Sequence, residues 1–225
     1  MMVMLANHSS AQIHYWAGKY PNRVGWLVGP STVSQKKYFP WLSYACDNDA
    51  WGSFSSGREW DVCAFWGMLE FIKNQDHNPL WLAVPDVVAD KDATLQNWKK
   101  YAPRCRDYGH QLAFVAQDGM TPADIPTSAD IVFMGGTYSW KWRNLERFCE
   151  GFPRVHVGRV NTLQKVRRAQ ELGAESCDGT GWFRRPLDEF RLLEVFLSGK
   201  PDPQLDLNLT SSTTPPPCSG ASRSS

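Results

Sequence analysis

The residues of this chain that are best suited to chemistry are aspartates that follow short apolar runs. Asp47 lies in "CDND", where an apolar run ends. Asp86 follows the apolar run "WLAVP", and Asp178 lies in "SCDGTG". A carboxylate can act as a nucleophile, as a general base, or as an acceptor for the N–H groups of a ligand. The sequence therefore predicts a site that is built on three acids. Asp49, in the same "CDND" segment, is an alternative to Asp47.

Asp178 has the most unusual surroundings of these acids. The helix before it is expected to end at Gly173 and the helix after it to begin at Pro186, so Asp178 is too distant to cap the second helix. Its neighbours Gly179 and Gly181 carry no side chain and would let a large ligand approach the backbone. We therefore expect Asp178 to face a ligand from a glycine-rich loop.

Further candidates follow the remaining apolar runs. They are Gln117 after "LAFVA", Gly135 and Gly136 after "IVFM", and Gly158 after "VHV". Each also has an ordinary structural interpretation. Asp86 could cap the next helix, although Asp90 is the better cap, and Gln117 could bond to loop backbone, while the glycine pair could form a tight turn. His156, within a strand pattern, is more typical of a core histidine than of a ligand.

The elements that must position these residues alternate along the chain. Strands are predicted at residues 25–29, 80–86, 111–119, 130–136 and 154–159, where continuous apolar runs indicate burial on both faces. Helical patterns separate most of them. This alternation predicts an α/β fold, a compact (β/α)8 TIM-barrel-like parallel barrel, with an open doubly wound sheet as the alternative. In both, the active site lies at the carboxyl ends of the strands, where the candidates are.

Helix ends are predicted from residues that cap or break helices. The predicted features are a helix over residues 60–73, N-caps at Asp90, Ser139 and Thr162, a C-terminal turn at Gly173, and a helix start at Pro186. Pro103 should bend or end the helix that begins after Asp90, because proline cannot donate to the preceding turn.

The composition narrows the class of protein. The chain has 225 residues and a formal net charge of +1, so it gives no global attraction to nucleic acid or membrane. Its six cysteines are scattered and its five histidines lack metal-ligand spacing, which predicts reduced thiols and no metal site. No apolar run is long enough to span a membrane, and we expect a cytoplasmic location. Residues 1–199 are predicted to form the barrel domain, and the Ser/Thr/Pro-rich residues 200–225 a disordered tail.

The candidate residues, taken in order, resemble the tRNA-guanine transglycosylase superfamily, whose members are (β/α) barrels. The pieces that carry the resemblance are "YACDNDAW", "VPDVVAD", "VAQDG", "FMGGT", "HVGRV" and "SCDGTG", within residues 24–185. These segments are most similar to those of the shorter phage and genomic-island branch, whose enzymes place 7-deazaguanines into DNA. The zinc-binding segment of the tRNA enzymes is missing here, which favours DNA over tRNA.

The resemblance implies a role for each candidate. Asp178 would attack C1′ of the nucleotide and form a covalent aspartyl-glycosyl intermediate, and Asp47 would deprotonate the incoming preQ0-type base. Asp86 would accept the N1–H and amine groups of guanine. The remaining candidates would bind the substrate, with the amide of Gln117 and the backbone N–H groups of Gly135 and Gly136 as donors near O6 and Gly158 as a further contact.

The resemblance also implies partners and leaves alternatives open. The partners would be DNA and a free 7-deazaguanine base, without a cofactor or a membrane, and in the host cytoplasm if a phage encodes the chain. The alternatives are the same exchange on tRNA, a non-catalytic nucleic-acid-binding barrel, and a hydrolytic glycosidase in which water resolves the ester. The oligomeric state is left open.

Overall fold

The computed structural model of the chain describes residues 1–5, 10–33, 41–183 and 188–199. Eight parallel strands form a closed barrel in which each strand pairs with its neighbours in sequence and the last pairs with the first. The strands are β1 (Met2–Leu5), β2 (Val24–Val28), β3 (Tyr44–Cys46), β4 (Leu82–Ala83), β5 (Leu112–Ala116), β6 (Ile131–Met134), β7 (Val155–Val157) and β8 (Ser176–Gly179). The predicted (β/α)8 barrel is confirmed, and the open doubly wound sheet is wrong.

Helices follow the strands on the outside of the barrel. Those in the described ranges are α1 (Ser10–Lys19), α2 (Ala50–Ser55), α3 (Val62–Lys73), α4 (Lys91–Arg106), α5 (Tyr138–Gly151), α6 (Leu163–Glu171) and α7 (Asp188–Ser198). No helix among these is long and apolar enough to cross a membrane. The predicted tail at 200–225 and the predicted helix start at Pro186 lie outside the described residues, so the domain boundary at residue 199 stays a prediction.

The core has two layers because residues of a strand point alternately to the two faces of the sheet. The larger layer fills the space between the strands and the helices. The smaller layer fills the inside of the barrel with Met4, Leu27, Ala45, Trp81, Ala83, Ala113, Val115, Ile131 and Phe133. Side chains therefore fill much of the inside of the barrel, and open space remains at the carboxyl ends of the strands.

Two strands, β1 and β8, are not among the apolar runs identified in the sequence, and β8 carries a candidate residue. The strand β1 is a short run at the start of the chain. The strand β8 holds Ser176 and Asp178, polar residues that alternate along one of its faces. The expectation that Asp178 lies on a loop is therefore wrong, because it is the third residue of β8 and is buried.

Most predicted helix ends are found in the structure. The side chain of Asp90 accepts from the backbone N–H of Ala93, and Thr162 caps α6 in the same way. The N-terminus of α4 is therefore capped by Asp90 and not by Asp86. The predicted cap at Ser139 is wrong, because α5 begins two residues earlier, at Tyr138 after Thr137.

Of the two effects predicted for Pro103, the end of the helix is wrong, because α4 continues to Arg106, and a bend at Pro103 stays a prediction. Burial explains the extra turn, since Ala102 and Cys105 lie in the core on either side of the proline. Gly173 follows α6 at φ +89°, as the predicted C-terminal turn requires.

Candidate active site

A cavity of about 520 Å³ opens at the carboxyl ends of the strands. The structure brings all seven candidate residues of the sequence analysis to its wall: Asp47, Asp86, Gln117, Gly135, Gly136, Gly158 and Asp178. Asp49 lines it as well. The candidates thus share one site at the end of the barrel where this fold places its chemistry. Their individual roles stay predictions.

The carboxylate of Asp86 is held by two side-chain amides. The Nδ2 group of Asn48 donates to Oδ1 of Asp86 at 2.8 Å, and Nε2 of Gln117 donates to Oδ2 at 2.7 Å. Oε1 of Gln117 in turn accepts from the backbone N–H groups of Ala89 and Gly136. Gln117 therefore bonds to loop backbone, as one interpretation of the sequence had it, and also fixes Asp86 in the cavity wall.

The glycine pair after β6 has no N–H group to offer a ligand. The backbone N–H of Gly135 donates to the carbonyl oxygen of Ala116 at 3.1 Å, and that of Gly136 donates to Gln117. The expectation that these groups and the Gln117 amide bind a ligand oxygen therefore does not fit the geometry. Gly136 lies at φ +61°, and a Cβ there would meet the Asp118 carboxylate at 2.6 Å, so the position requires glycine.

Asp47 and Asp49 differ in what they contact. Asp49 lies at φ +60°, and its Oδ2 accepts from the backbone N–H of Ser31, which ties it to the loop after β2. Asp47 accepts from the backbone N–H of its neighbour Asn48 at 2.8 Å. Of the two acids that the sequence left open, Asp49 is thus engaged in holding a loop, and Asp47 is the better candidate for chemistry.

Burial perturbs two of the carboxyl groups. It raises the pKa of Asp86 to about 6, against an opposing effect of the Asn48 amide, which favours the ionised form. It also raises the pKa of Asp47 well above the usual range, and the neighbouring charges of Asp49 and Asp178 act in the same direction. Asp47 therefore holds a proton much more readily than an exposed aspartate does.

Asp178 lies on the opposite side of the cavity, where β7 and β8 end. Its Oδ1 is 3.1 Å from Nε2 of His156, and its Oδ2 accepts from the backbone N–H of Arg159 at 3.2 Å. His156 is fully buried, as expected of a core histidine, but it also contacts a candidate residue. The register of β7 and β8 makes this contact, because His156 aligns with Ser176 and Asp178 lies two residues further on the same face.

Arg159 is the cationic residue among the described residues that line the cavity. Its guanidinium lies 3.8 Å from the ring centroid of Trp51 and donates to the carbonyl oxygen of Gly136. Lys141 lies behind the wall, almost fully buried, and donates to the carbonyl oxygen of Gly158. Burial lowers the pKa of Lys141 to about 7, with Arg159 acting in the same direction. The cavity wall itself thus carries four aspartates and one arginine.

The described residues contain no cluster of three or more histidine, cysteine, aspartate or glutamate side chains arranged to hold a metal ion. The cysteines within them are free thiols, among which Cys46 and Cys177 are buried in β3 and β8. The arrangement that the structure offers for chemistry is therefore the set of carboxyl groups and their hydrogen-bond partners.

Comparison with known proteins found solved structures that are similar to this chain, but no matching family model and no matching curated sequence. A solved 3-hexulose-6-phosphate synthase has a TM-score of 0.50 at 11% identity, over 89% of this chain and 100% of that chain. The 3-hexulose-6-phosphate synthase from Salmonella typhimurium has a TM-score of 0.56 at 13% identity, over 88% and 99%. At such identities the similarity shows the barrel fold only.

These comparisons correct the resemblance to tRNA-guanine transglycosylases. The similar solved structures belong to a different family of barrel enzymes, so the membership and the exchange of guanine for a 7-deazaguanine that it implied are wrong. The alternatives of tRNA exchange and of a non-catalytic nucleic-acid-binding barrel are not favoured either. The physical reason is that acids and glycines gather at the strand ends of parallel barrels in general, because sites of every chemistry lie there. Short motifs in that order therefore follow the fold. That the chain binds DNA or tRNA stays a prediction, which a gel-shift measurement would test.

Proposed function

We propose that this chain is an enzyme that cleaves or transfers a glycosyl group by means of two carboxyl groups, Asp178 and Asp47. One observation carries the proposal. Two carboxyl groups line the same cavity in different surroundings, since Asp178 contacts Nε2 of His156 and accepts from the backbone N–H of Arg159, whereas Asp47 is biased towards its protonated form. Titratable pairs whose surroundings differ in this way are typical of acid and base assignments in enzymes. That the similar solved structures are themselves enzymes agrees with the proposal.

The proposed reaction has two steps. Asp178 attacks the glycosidic carbon and forms an ester, while the carboxylic acid of Asp47 gives its proton to the leaving group. Asp47 is then a carboxylate and takes a proton from water or from the hydroxyl group of a glycosyl acceptor. The oxygen of that molecule attacks the same carbon and releases Asp178. Atoms and charges balance without a metal or a redox cofactor.

The substrate that we propose is a small uncharged glycoside. Four aspartates and one arginine in the cavity wall disfavour a phosphate group. Two backbone N–H groups in the described parts of the loops after β7 and β8, where barrels often bind phosphate, are already engaged. The backbone N–H of Arg159 donates to Asp178, and that of Gly181 donates to Asn161 at 2.7 Å. A phosphorylated sugar, as in the names of the similar structures, is therefore a poorer fit.

Asp86 is proposed to bind the substrate. Its two donors fix the plane of the carboxyl group, and the oxygen lone pairs that remain can accept from hydroxyl groups of a sugar. Its position on the side of the cavity opposite to Asp178 separates a binding group from a reacting one.

The experiment is covalent labelling with 2-deoxy-2-fluoro glycosyl fluorides of several hexoses and pentoses, which form the ester quickly and release it slowly. Mass spectrometry should find one adduct, on Asp178, and Asp178→Asn should form none. Asp118→Asn is the matched control, because Asp118 caps the start of α5 through Thr137 outside the cavity wall. An adduct on a different residue, or no adduct with any reagent of the panel, would contradict the proposal.

A further inference from the structure

Three polar side chains form a buried row across β7 and β8. Oγ of Ser176 lies 2.8 Å from Nδ1 of His156, and Nε2 of the same ring lies 3.1 Å from Oδ1 of Asp178. His156 is fully buried, and the other two residues are 5–6% exposed. The pairing of the strands makes the row, because His156 is in register with Ser176 and Asp178 follows on the same face.

The row fixes which nitrogen of His156 carries the proton. An ionised carboxylate only accepts hydrogen bonds, so Nε2 must donate to Asp178. In a neutral imidazole the other nitrogen is then an acceptor, and the hydroxyl group of Ser176 can donate to it. The ring cannot easily turn over, since it is packed against Trp81 and Phe133 with centroid distances of 4.7 and 4.5 Å.

We propose that His156 is a positioning residue that holds the carboxylate of Asp178 in its reactive orientation, with Ser176 selecting the neutral tautomer protonated at Nε2. The proposal rests on the proposed function in one respect, namely that Asp178 is the reacting carboxylate. His156 does not line the cavity and touches no substrate. It acts through Asp178, whose second oxygen is held by the backbone N–H of Arg159, so the two donors together fix the plane of the carboxylate.

The first test reads the tautomer in the wild-type protein. Two-dimensional NMR of ¹⁵N-labelled protein distinguishes a protonated from an unprotonated ring nitrogen by its chemical shift and its couplings to the ring protons. His156 should have a protonated Nε2 and an unprotonated Nδ1 at neutral pH. A ring protonated at Nδ1 alone, or at both nitrogens, would overturn the proposal. This measurement needs no substrate and no variant.

The second test compares two amide variants of matched polarity. His156→Gln places an N–H donor near the position of Nε2, whereas the shorter His156→Asn can reach only towards Ser176. With the fluoro-glycosyl fluoride that labels the wild type, His156→Gln should label Asp178 at close to the wild-type rate. His156→Asn should label it about 10²-fold more slowly, since a displacement of about 1 Å costs that much in an oriented reaction. Equal, wild-type-like rates in both variants would overturn the proposal.

The two tests separate this inference from the proposed function. If no reagent labels the wild-type protein, the proposed function fails, and the tautomer of His156 still decides whether the row is ordered as we propose. Thermal unfolding and near-ultraviolet circular dichroism of both variants establish that they retain the packing of the tryptophans. A merely structural histidine would change stability in the two variants without the difference in labelling rate.

Discussion

The two sides of the cavity hold their carboxyl groups in different ways. On one side, Asp86 is bound by the side-chain amides of Asn48 and Gln117, which follow β3 and β5. On the other side, Asp178 lies within β8 and is bound by an imidazole and by a backbone N–H. Two side-chain amides thus donate to Asp86, whereas the partners of Asp178 are an imidazole ring and a backbone N–H.

The difference indicates a division of labour. An amide pair gives Asp86 a fixed direction and a fixed set of free lone pairs, which suits the recognition of a ligand. The row behind Asp178 orients a carboxylate that must change its covalent state. The comparison can be tested by variants that act on one side at a time.

The largest effect is expected for the reacting carboxylate itself. Asp178→Asn should form no adduct, which is a loss of about 10³-fold or more in the maximal rate of labelling, because the anionic nucleophile is gone. Asp86→Asn should instead weaken binding of the reagent and leave the maximal rate much less affected. The measurement is the dependence of labelling rate on reagent concentration, which separates the two parameters. A loss of maximal rate in Asp86→Asn equal to that in Asp178→Asn would show that the two sides do not divide their tasks.

The next effect concerns stability on the amide side. Gln117→Ala should lower the free energy of unfolding by about 2–3 kcal/mol, because it leaves the buried N–H of Gly136 without its acceptor and Oδ2 of Asp86 without its donor. Gln111→Ala is the control, since Gln111 is exposed and contacts Arg154 at the surface, and it should change stability by less than about 0.5 kcal/mol. Urea unfolding measures both. Similar losses in the two variants would mean that the hydrogen bonds of the Gln117 side chain contribute nothing specific to stability.

A smaller effect concerns pH. The pKa of Asp86 is raised to about 6 in the folded protein, above its value in the unfolded chain, so the folded state binds the proton more tightly. Stability from this group is therefore complete below about pH 4 and falls as the pH rises to about 6, by about 1–2 kcal/mol once solvent at the cavity mouth is allowed for. Asp86→Asn cannot titrate and should lack this decline.

The measurement for this prediction is the free energy of unfolding of wild type and Asp86→Asn in urea, at about pH 4.5 and pH 7. Taking the difference between the two proteins removes the larger part of the contribution of Asp47, whose pKa is raised in the same direction and depends on the charge of Asp86 only as its smallest cause. A difference that does not change with pH would contradict a raised pKa for Asp86.

The same comparison shows what sequence reasoning can reach. Asp47, Asp86 and Gln117 could be found because apolar strands are visible in the sequence and polar residues at their ends meet in a parallel barrel. Asn48, which follows β3 and bonds to Asp86, looks like an ordinary turn residue in "CDND", and its role depends on a residue 38 positions away. The pairing of His156 with Asp178 required the register of β7 and β8, and β8 lacks an apolar pattern because its polar residues build the site.

The smallest effect is expected at the rim, where the two sides meet. Arg159 spans them, since its backbone N–H holds Asp178 while its guanidinium rests on Trp51 of α2. A guanidinium over a partly exposed ring contributes about 0.5–1 kcal/mol, so Trp51→Leu should lower the free energy of unfolding by that amount. Phe54→Leu is the matched control, because Phe54 is a more exposed aromatic residue of the same helix. Trp51 contacts the side chain of Arg159, whereas the hydrogen bond to Asp178 comes from the backbone N–H of Arg159. Labelling of Asp178 should therefore stay close to the wild-type rate in both variants. A large loss of labelling in Trp51→Leu alone would mean that the stacked guanidinium, and not the barrel wall, holds the loop after β7 in place.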